Sequence, residues 1–217
     1  MLKVAVLISG RGSNLQALID ACARDDFPAT IVRVISNKAD AYGLVRAQNA
    51  GLDTAVVNHK DFPDRESFED ALHTELSNAG VEFICLAGFM RILNSDFVNR
   101  WRDRMLNIHP SLLPAFKGLH THERVLEAGV GFTGCTVHFV RPEMDDGPIV
   151  TQAAVAVNPH EDASRLAERV LLLEHLIYPE ALRLVAEGRV KVVGSKAEIK
   201  EATYSNTWLV NPEPMIE

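Results

Sequence analysis

Short apolar runs rich in valine and isoleucine alternate with longer segments of helical periodicity over the first half of the chain. This alternation is typical of βαβ units, in which helices cover both faces of a parallel sheet. The connections between such strands are expected to be right-handed. The predicted strands are Lys3–Ile8, Thr30–Ile35, Thr54–Val57, Glu82–Ala87 and Met105–Ile108, and the predicted helices between them are Asn14–Arg24, Ala39–Ala50 and Arg65–Ala79.

The pattern changes after Pro110. Two segments with β-branched alternation, Thr133–Val140 and Ile149–Val157, flank the loop Arg141–Pro148. They predict antiparallel strands on either side of a functional loop. The predicted fold class is therefore α/β, with an open, mostly parallel, Rossmann-like sheet, helices on both faces and antiparallel strands in the C-terminal part.

The last quarter of the chain carries one long helical pattern over Asp162–Glu187. Pro179 is expected to kink or break this helix, and the sequence after Ser195 lacks strong periodicity. We find no repeat, low-complexity stretch or linker that divides the chain. We therefore expect a single domain over residues 1–190 and a C-terminal tail over residues 191–217.

The charge and the cysteine content restrict the classes of function. The net charge is −7, and no Lys/Arg run is interleaved with aromatic residues, so a broad nucleic-acid-binding surface is not expected. The apolar stretch Met1–Ile8 is too short to span a bilayer and lacks a signal-type cleavage site. Cys22, Cys85 and Cys135 are odd in number and widely spaced, which indicates neither a disulfide framework nor a zinc site. We expect a reducing, cytoplasmic compartment.

A glycine-rich turn, Ser9–Asn14, separates the first strand from the first helix. At such a junction the backbone N–H groups and the helix dipole can both face a phosphate. A dinucleotide fingerprint is not present, because Leu15 occupies the third glycine position and Ser36–Lys38 supplies no acidic residue for a ribose. This disfavours an NAD-linked oxidoreductase. Taken alone, the motif is equally compatible with a tight turn that is capped by Ser13 or Asn14 and binds nothing.

Two polar residues, Asn107 and His109, end the fifth predicted strand and point to the same side of the sheet. Ligands of open α/β sheets bind at this carboxyl edge. An asparagine amide can donate to a developing oxyanion, and a histidine can donate or carry a proton, as attack on a carbonyl-like carbon requires. Asp145, on the loop closed by Gly147–Pro148, can orient the histidine or relay a proton. The alternative is that Asn107 and His109 bond the backbone around Pro110 and that Asp145 is a solvated turn residue.

Two further pairs of residues are candidates for ligand contacts. His120 and His122 are two apart, but no Cys, Asp or Glu completes a metal-ligand set at a familiar spacing. We expect structural or substrate-contact roles for them, and no metal. Arg65 and Arg91 are either surface charges or contacts to an anionic ligand.

Six stretches of the sequence, taken together, resemble the glycinamide ribonucleotide formyltransferases. The resemblance covers nearly all of residues 1–190. The run Asn-Ile-His-Pro-Ser-Leu-Leu-Pro followed by Asp-x-Gly-Pro is specific for folate-dependent formyl transfer as a class and less specific for the acceptor. The stretches are Ile8–Asn14, Ser36–Ala41, Leu86–Leu93, Asn107–Pro114, Met144–Pro148 and Glu174–His175.

This resemblance implies a formyltransferase fold, with the nucleotide phosphate site in the N-terminal part and the folate site towards the C-terminal part. It implies transfer of the formyl group of 10-formyltetrahydrofolate, a co-substrate, to the amine of glycinamide ribonucleotide in purine biosynthesis, without metal or ATP. The amine would attack the formyl carbon directly. The tetrahedral intermediate would be stabilised by Asn107 and protonated His109, and Asp145 would assist proton transfer through water.

The resemblance also implies the residues of each site. The implied catalytic residues are Asn107, His109 and Asp145. The residues implied to hold the nucleotide are Gly12, Ser13, Asn14 and Glu174. The residues implied to contact the folate are Arg65, Met90, Arg91, Ile92, Leu93, Asn107, Arg141, Pro142, Glu143, Met144 and Asp145.

Two other enzymes resemble the same catalytic core. Methionyl-tRNA formyltransferase adds a C-terminal domain that helps to bind tRNA, whereas a short tail follows the final predicted helix here and the chain is acidic. Formyltetrahydrofolate deformylase adds an N-terminal regulatory domain, whereas the first strand begins at Lys3 here. A non-catalytic nucleotide-binding module is disfavoured by the full Asn-His-Asp set. The expected partners are therefore small-molecule substrates, not nucleic acid or membrane, and the expected state is a monomer or homodimer.

Overall fold

A seven-stranded sheet runs through the computed structural model, which describes residues 1–204, 207 and 209–211. Its strands are β1 (Leu2–Ile8), β2 (Ala29–Ser36), β3 (Thr54–Val56), β4 (Phe83–Leu86), β5 (Met105–His109), β6 (Phe132–Phe139) and β7 (Ile149–Ala156). Their spatial order is β3-β2-β1-β4-β5-β6-β7. The first five are parallel, and β6 pairs antiparallel with both β5 and β7. The predicted α/β class, mostly parallel with antiparallel strands in the C-terminal part, is confirmed.

Helices cover both faces of this sheet, and β1 therefore buries alternate side chains on opposite sides. Val4, Val6 and Ile8 belong to one apolar cluster, and Ala5 and Leu7 belong to a second. The first cluster also contains side chains of α1 (Ser13–Cys22), α2 (Tyr42–Asn49), α5 (Thr121–Ala128) and α6 (Ala163–Ala186), and the second contains those of α3 (Arg65–Asn78) and α4 (Ser95–Arg100). The prediction of helices on both faces is therefore confirmed.

The long C-terminal helix, α6, is not broken at Pro179. Asp162 caps its start by accepting a hydrogen bond from the Arg165 N–H at 2.8 Å. Proline removes one backbone donor, but the surrounding turns are held by buried Tyr178 and Leu182. Tertiary packing therefore stabilises the continuous helix despite the proline. Among the described residues, no helix is long and apolar enough to cross a membrane.

Several elements differ from the prediction. Helix α2 begins at Tyr42, three residues after its predicted start, and the short helices α4 and α5 were not predicted. The antiparallel hairpin β8 (Val190–Val193) and β9 (Lys196–Ile199) occupies a segment for which no element was predicted, with Gly194 at φ +61° in its turn.

The hairpin begins at the predicted boundary between domain and tail. Its Val190, Val192, Ala197 and Ile199 alternate along the strands and pack against the larger apolar cluster. The sequence after Ser195 was expected to lack strong periodicity; β9 lies there, and its period-two pattern over four residues is too short to recognise beside Gly194. The division at residue 190 stays a prediction, and residues 205, 206, 208 and 212–217 of the predicted tail lie outside the described residues.

Candidate active site

The carboxyl ends of β1, β4 and β5 lie side by side in the centre of the sheet. Ligands of open α/β sheets bind at this edge. A cavity of about 290 Å³ opens between the segments that leave β1 and β4. It is lined by residues 9–14 together with Ala87, Gly88 and Met90. This volume is close to the lower end of the range for small-molecule pockets, about 300–1,000 Å³.

The turn that leaves β1 is built around glycine contacts. Gly12, at φ +71°, precedes the first residue of α1 and supplies no side-chain cap. A Cβ atom at Gly12 would lie 2.7 Å from the Cα of Gly43, and the Gly43 N–H donates to the Gly10 carbonyl at 3.0 Å. Ser13 and Asn14, the first residues of α1, line the cavity, and the start of this helix has no side-chain cap hydrogen bond. An uncapped helix start beside a cavity is a common anion-binding arrangement.

Asn14 and Glu174, which are 160 residues apart in the sequence, meet at this turn. The Asn14 Nδ2 donates to the Glu174 Oε2 at 2.6 Å, while the Asn14 Oδ1 has no hydrogen-bond partner among the described residues. Glu174 is 7% exposed. Burial raises the pKa of its carboxyl group, and the hydrogen bond from Asn14 opposes that rise. Asn14 lines the cavity together with Gly12 and Ser13, so its bond to Glu174 brings together the four residues that were expected to hold the nucleotide.

His109 ends β5 and is 5% exposed. Its Nδ1 lies 3.5 Å from the Asp145 Oδ2, and its Nε2 lies 3.0 Å from the Phe116 carbonyl oxygen. Both ring nitrogens therefore face oxygen atoms that can only accept, and a doubly protonated ring can donate to both.

Asp145 is held in place by the loop between β5 and α5, which contains Gly118. Its Oδ2 accepts a hydrogen bond from the Gly118 N–H at 2.8 Å, and its backbone adopts the left-handed conformation at φ +53°. This conformation is uncommon for a residue other than glycine and requires local support. The neighbouring Asp146 turns away and pairs with the Lys117 ammonium. The two adjacent carboxylates therefore have different surroundings, and only Asp145 approaches His109.

Asn107 has a partner that the sequence analysis missed. His138 of β6 lies opposite Asn107 in the antiparallel register, and the Asn107 Nδ2 donates to the His138 Nε2 at 3.2 Å. The His138 Nδ1 donates to the Phe139 carbonyl at 3.0 Å, which leaves Nε2 as the acceptor. Burial lowers the pKa of His138, and the nearby Asp145 opposes this shift. A neutral His138 therefore orients the Asn107 amide, and the second N–H of that amide has no hydrogen-bond partner within the described part of the chain.

The segment that leaves β4 contains the predicted folate contacts at positions 90–93. Met90 and Ile92 are each 64% exposed, whereas Leu93 is buried. Arg65 begins α3, and its charge acts on Glu69, whose Oε1 accepts from the Asn94 N–H at 2.8 Å. The Arg65 charge is therefore close to Glu69, the residue that anchors the end of this segment.

The remaining predicted folate contacts lie in the loop between β6 and β7. Exposed Glu143 and Met144 precede Asp145, and the Met144 methyl group approaches Gly118. The Arg141 guanidinium pairs with Asp103, which precedes β5. This contact places the Arg141 side chain at the start of β5, whereas His109 stands at its end; Pro142 follows Arg141 and is half-buried.

The two histidines that were examined as metal ligands have separate surroundings. His120 is exposed and lies 3.9 Å from the Glu123 carboxylate, and burial lowers the pKa of His122. Within the described part of the chain, no group of three His, Cys, Asp or Glu side chains is placed to hold a metal ion.

Comparison with known proteins supports one family. Residues 2–182 match the family model described as formyl transferase. A phosphoribosylglycinamide formyltransferase from Haemophilus influenzae is 47% identical over 192 residues that cover 88% of this chain and 91% of the relative. The crystal structure of glycinamide ribonucleotide transformylase 1 from Symbiobacterium toebii has a TM-score of 0.90 and 47% identity, covering 93% of this chain and 95% of that one.

A larger relative matches over a similar region. The trifunctional purine biosynthetic protein adenosine-3 of Bos taurus is 54% identical over 190 residues, which cover 88% of this chain. The chain spans only 19% of that protein's length. On the family match and on the near full-length match to the bacterial relative, the chain belongs to the formyl transferase family, among the phosphoribosylglycinamide formyltransferases.

Proposed function

We propose that the chain transfers the formyl group of 10-formyltetrahydrofolate to the amine of glycinamide ribonucleotide in de novo purine biosynthesis. The products are formylglycinamide ribonucleotide and tetrahydrofolate. The observation that carries this proposal is the approach of Asp145 to His109, 3.5 Å away, beside Asn107 at the carboxyl edge of the sheet. The reaction needs neither metal nor ATP, because the amine attacks a formyl group that the folate already carries in activated form.

The side chains of the site match the steps of this reaction. The substrate amine forms a bond to the formyl carbon, and negative charge develops on the formyl oxygen. The second N–H of Asn107 donates to that oxygen, and protonated His109 does so when one of its ring N–H groups exchanges its protein acceptor for the oxyanion. Asp145 balances the charge on His109 and accepts the amine proton through water. The proton is delivered to the folate N10 as the bond between that nitrogen and the formyl carbon breaks.

The two substrates occupy neighbouring parts of the carboxyl edge. Gly12, Ser13 and Asn14 hold the phosphoribosyl end at the start of α1, with Glu174 also on the nucleotide. The folate lies against residues 90–93 and against the loop that ends in Asp145, with Arg65 near its tail. The exposed Met90 and Ile92 supply apolar contact area for a flat ring system, which supports this arrangement.

We propose small molecules as the chain's partners, with no nucleic acid or membrane bound. The net charge of −7 supports this because it repels polyanions. The proposed location is the cytoplasm, and the proposed state is a monomer or a homodimer.

A ligand-stabilisation experiment tests the class of ligand. At 100 times the dissociation constant, a ligand of the folded state raises its stability by roughly 2.7 kcal/mol. For a chain of this size such a gain corresponds to an increase of about 5–10 °C in Tm. We expect this increase with glycinamide ribonucleotide and with tetrahydrofolate, and none with NADH. A shift with NADH and none with tetrahydrofolate would favour a dinucleotide-binding protein instead.

Substitution of Gly12 by alanine is expected to weaken nucleotide binding. Alanine is expected to move the turn out of its left-handed conformation, and returning the turn to the binding geometry costs about 1–2 kcal/mol, which corresponds to a loss of affinity of roughly 5- to 30-fold. Because a Cβ atom at Gly12 would clash with the Gly43 Cα, the turn cannot accommodate alanine without moving. Calorimetric titration with glycinamide ribonucleotide measures this loss, while tetrahydrofolate affinity is expected to stay within about twofold.

Gly51 provides the matched control for this variant. It has the same φ of +71° and open space around its Cα, and it lies in the turn after α2. Gly51→Ala therefore introduces the same backbone strain without touching the site, and nucleotide affinity should be unchanged. Equal losses of nucleotide and folate affinity in a folded Gly12→Ala protein would contradict the assignment.

Glu174→Gln is expected to stabilise the fold and to weaken nucleotide binding. Burial raises the folded-state pKa of Glu174 above its unfolded value, so ionisation opposes folding. This penalty is absent below the unfolded pKa of about 4.3 and grows as the pH rises through the folded pKa. Each kcal/mol that the substitution recovers raises Tm by roughly 2–4 °C.

Thermal melts at pH 4 and pH 8 test this expectation. The Tm of Glu174→Gln should exceed that of the parent at pH 8, and the difference should shrink towards pH 4. Glu180→Gln, an exposed glutamate of the same helix, should show no such difference. A Glu174→Gln protein that is less stable than the parent at pH 8 would show that the ionised carboxylate stabilises the fold.

A further inference from the structure

The hydroxyl group of Ser9 joins the two segments that line the cavity. Ser9 is 5% exposed and stands directly after β1, at the start of the glycine-rich turn. Its Oγ donates to the Asn37 Oδ1 at 2.5 Å and accepts a hydrogen bond from the Met90 N–H at 2.7 Å. One buried hydroxyl therefore holds the backbone of residues 90–93, called here the folate segment, against residues 9–14, called here the nucleotide turn.

Asn37 fixes the direction in which this hydroxyl points. It is 1% exposed and follows β2. Its Nδ2 lies 3.2 Å from the Nδ1 of His59, in the 3₁₀ turn His59–Asp61. Because its amide nitrogen is turned towards His59, Asn37 presents its amide oxygen to Ser9. The Ser9 hydroxyl proton is therefore used in the hydrogen bond to Asn37, and a lone pair of the Ser9 oxygen accepts from the Met90 N–H.

The far end of the folate segment is anchored to a different element. The Asn94 N–H donates to the Glu69 Oε1 of α3, as described above. Between these anchors, residues 91 and 92 are exposed. The segment is therefore tied to the nucleotide turn at Met90 and to α3 at Asn94, and only the first tie connects the two substrate sites.

We propose that Ser9, oriented by Asn37, is a positioning residue that couples nucleotide binding to folate binding. This inference rests on the proposed function, because it takes glycinamide ribonucleotide and the folate as the two ligands. A nucleotide bound to residues 12–14 immobilises the turn that begins at Ser9, and the fixed Oγ holds the Met90 N–H in place. The folate then orders less of its own site when it binds. The coupling acts equally in both directions.

Calorimetric titration of each ligand, alone and with the other at saturation, measures this coupling. The ligands are glycinamide ribonucleotide and tetrahydrofolate. The tetrahydrofolate is kept reduced, and because it carries no formyl group, no transfer takes place during the titration. In the parent protein each ligand is expected to tighten the other by about fivefold or more, the lower end of typical coupling factors. Ser9→Ala and Asn37→Ala should each reduce this factor to less than about twofold, while the affinity for either ligand alone changes much less.

Ser36 offers a matched control beside Asn37. Its buried hydroxyl donates to the Lys38 carbonyl and accepts from the Lys38 N–H, so its hydrogen bonds stay within its own segment. Ser36→Ala removes a buried hydroxyl of the same size but should keep the full coupling factor. This control separates the loss of the link from a general loosening of the fold.

Each outcome of this experiment decides the inference. A parent that binds both ligands with no mutual effect, or a Ser9→Ala protein with the parent's coupling factor, would overturn it and leave the proposed function intact. A parent that binds neither ligand would overturn both. If Ser9→Ala fails to fold, the coupling factor of Asn37→Ala decides, because it removes the acceptor and leaves the Ser9 side chain in place.

Discussion

Replacing His109 by alanine is expected to lower kcat for formyl transfer by a factor of roughly 10²–10⁴, the usual range for a positioned acid or base. The imidazole is buried and fixed between the Asp145 carboxylate and the Phe116 carbonyl. Without it, the developing oxyanion loses a charged donor. The KM for the nucleotide should change little, because the histidine acts on the transition state and not on the phosphoribosyl group.

Steady-state kinetics with both substrates varied measures this effect. His160, an exposed histidine between β7 and α6, supplies the control. His160→Ala should keep kcat within about twofold of the parent, as expected for a surface substitution away from the site. A folded His109→Ala enzyme with the parent's kcat would eliminate the proposed mechanism.

Asp145→Asn is expected to lower kcat by roughly 10²–10⁴, or about 3–5 kcal/mol in transition-state stabilisation. Asparagine preserves the shape and can still accept from the Gly118 N–H, but it removes the negative charge beside His109. The adjacent Asp146 provides the control, because its carboxylate pairs with Lys117. Asp146→Asn should change kcat by less than about fivefold, since exposed ion pairs contribute roughly 0–1 kcal/mol.

The comparison of these two variants depends on which of the adjacent carboxylates faces the site. Both are measured under the same conditions, with the folded state checked by circular dichroism. Equal losses, or a larger loss for Asp146→Asn, would show that the catalytic carboxylate is displaced by one residue from the proposed position.

The central sheet could be predicted from the sequence because its signals are local. Period-two and helical patterns identified every strand of the large sheet to within two residues at each end. Right-handed βαβ connections leave few alternatives for ordering parallel strands. The position of Asn107 and His109 at the carboxyl edge follows from the same reasoning, since residues two apart on a strand share a face.

The parts of the site that depend on register could not be predicted. His138 opposes Asn107 only because β6 pairs with β5 in one particular antiparallel register, and a shift of one residue would turn it to the other face. The contact between Ser9 and Met90 joins residues 81 apart, and neither residue type signals the other. The approach of Asp145 to His109 was one of two alternatives that the residue types left open, because it depends on the left-handed backbone at Asp145, which is uncommon outside glycine.

The short elements α4, α5, β8 and β9 could not be predicted for a related reason. Helix α4 spans six residues and α5 spans eight, which is below the length at which helical periodicity is reliable. The β8–β9 hairpin carries four residues in each strand. Isolated hairpins are marginally stable, and this one is stabilised by packing against the larger apolar cluster, a tertiary effect that its own sequence does not encode.

The most direct test of the proposed function is a turnover assay with purified protein, 10-formyltetrahydrofolate and glycinamide ribonucleotide. We expect tetrahydrofolate and formylglycinamide ribonucleotide in equal amounts, and no tetrahydrofolate when the ribonucleotide is left out. Release of tetrahydrofolate and formate at the same rate without the ribonucleotide would contradict it and identify a hydrolase, and formylation of methionyl-tRNA in place of the ribonucleotide would contradict the proposed acceptor.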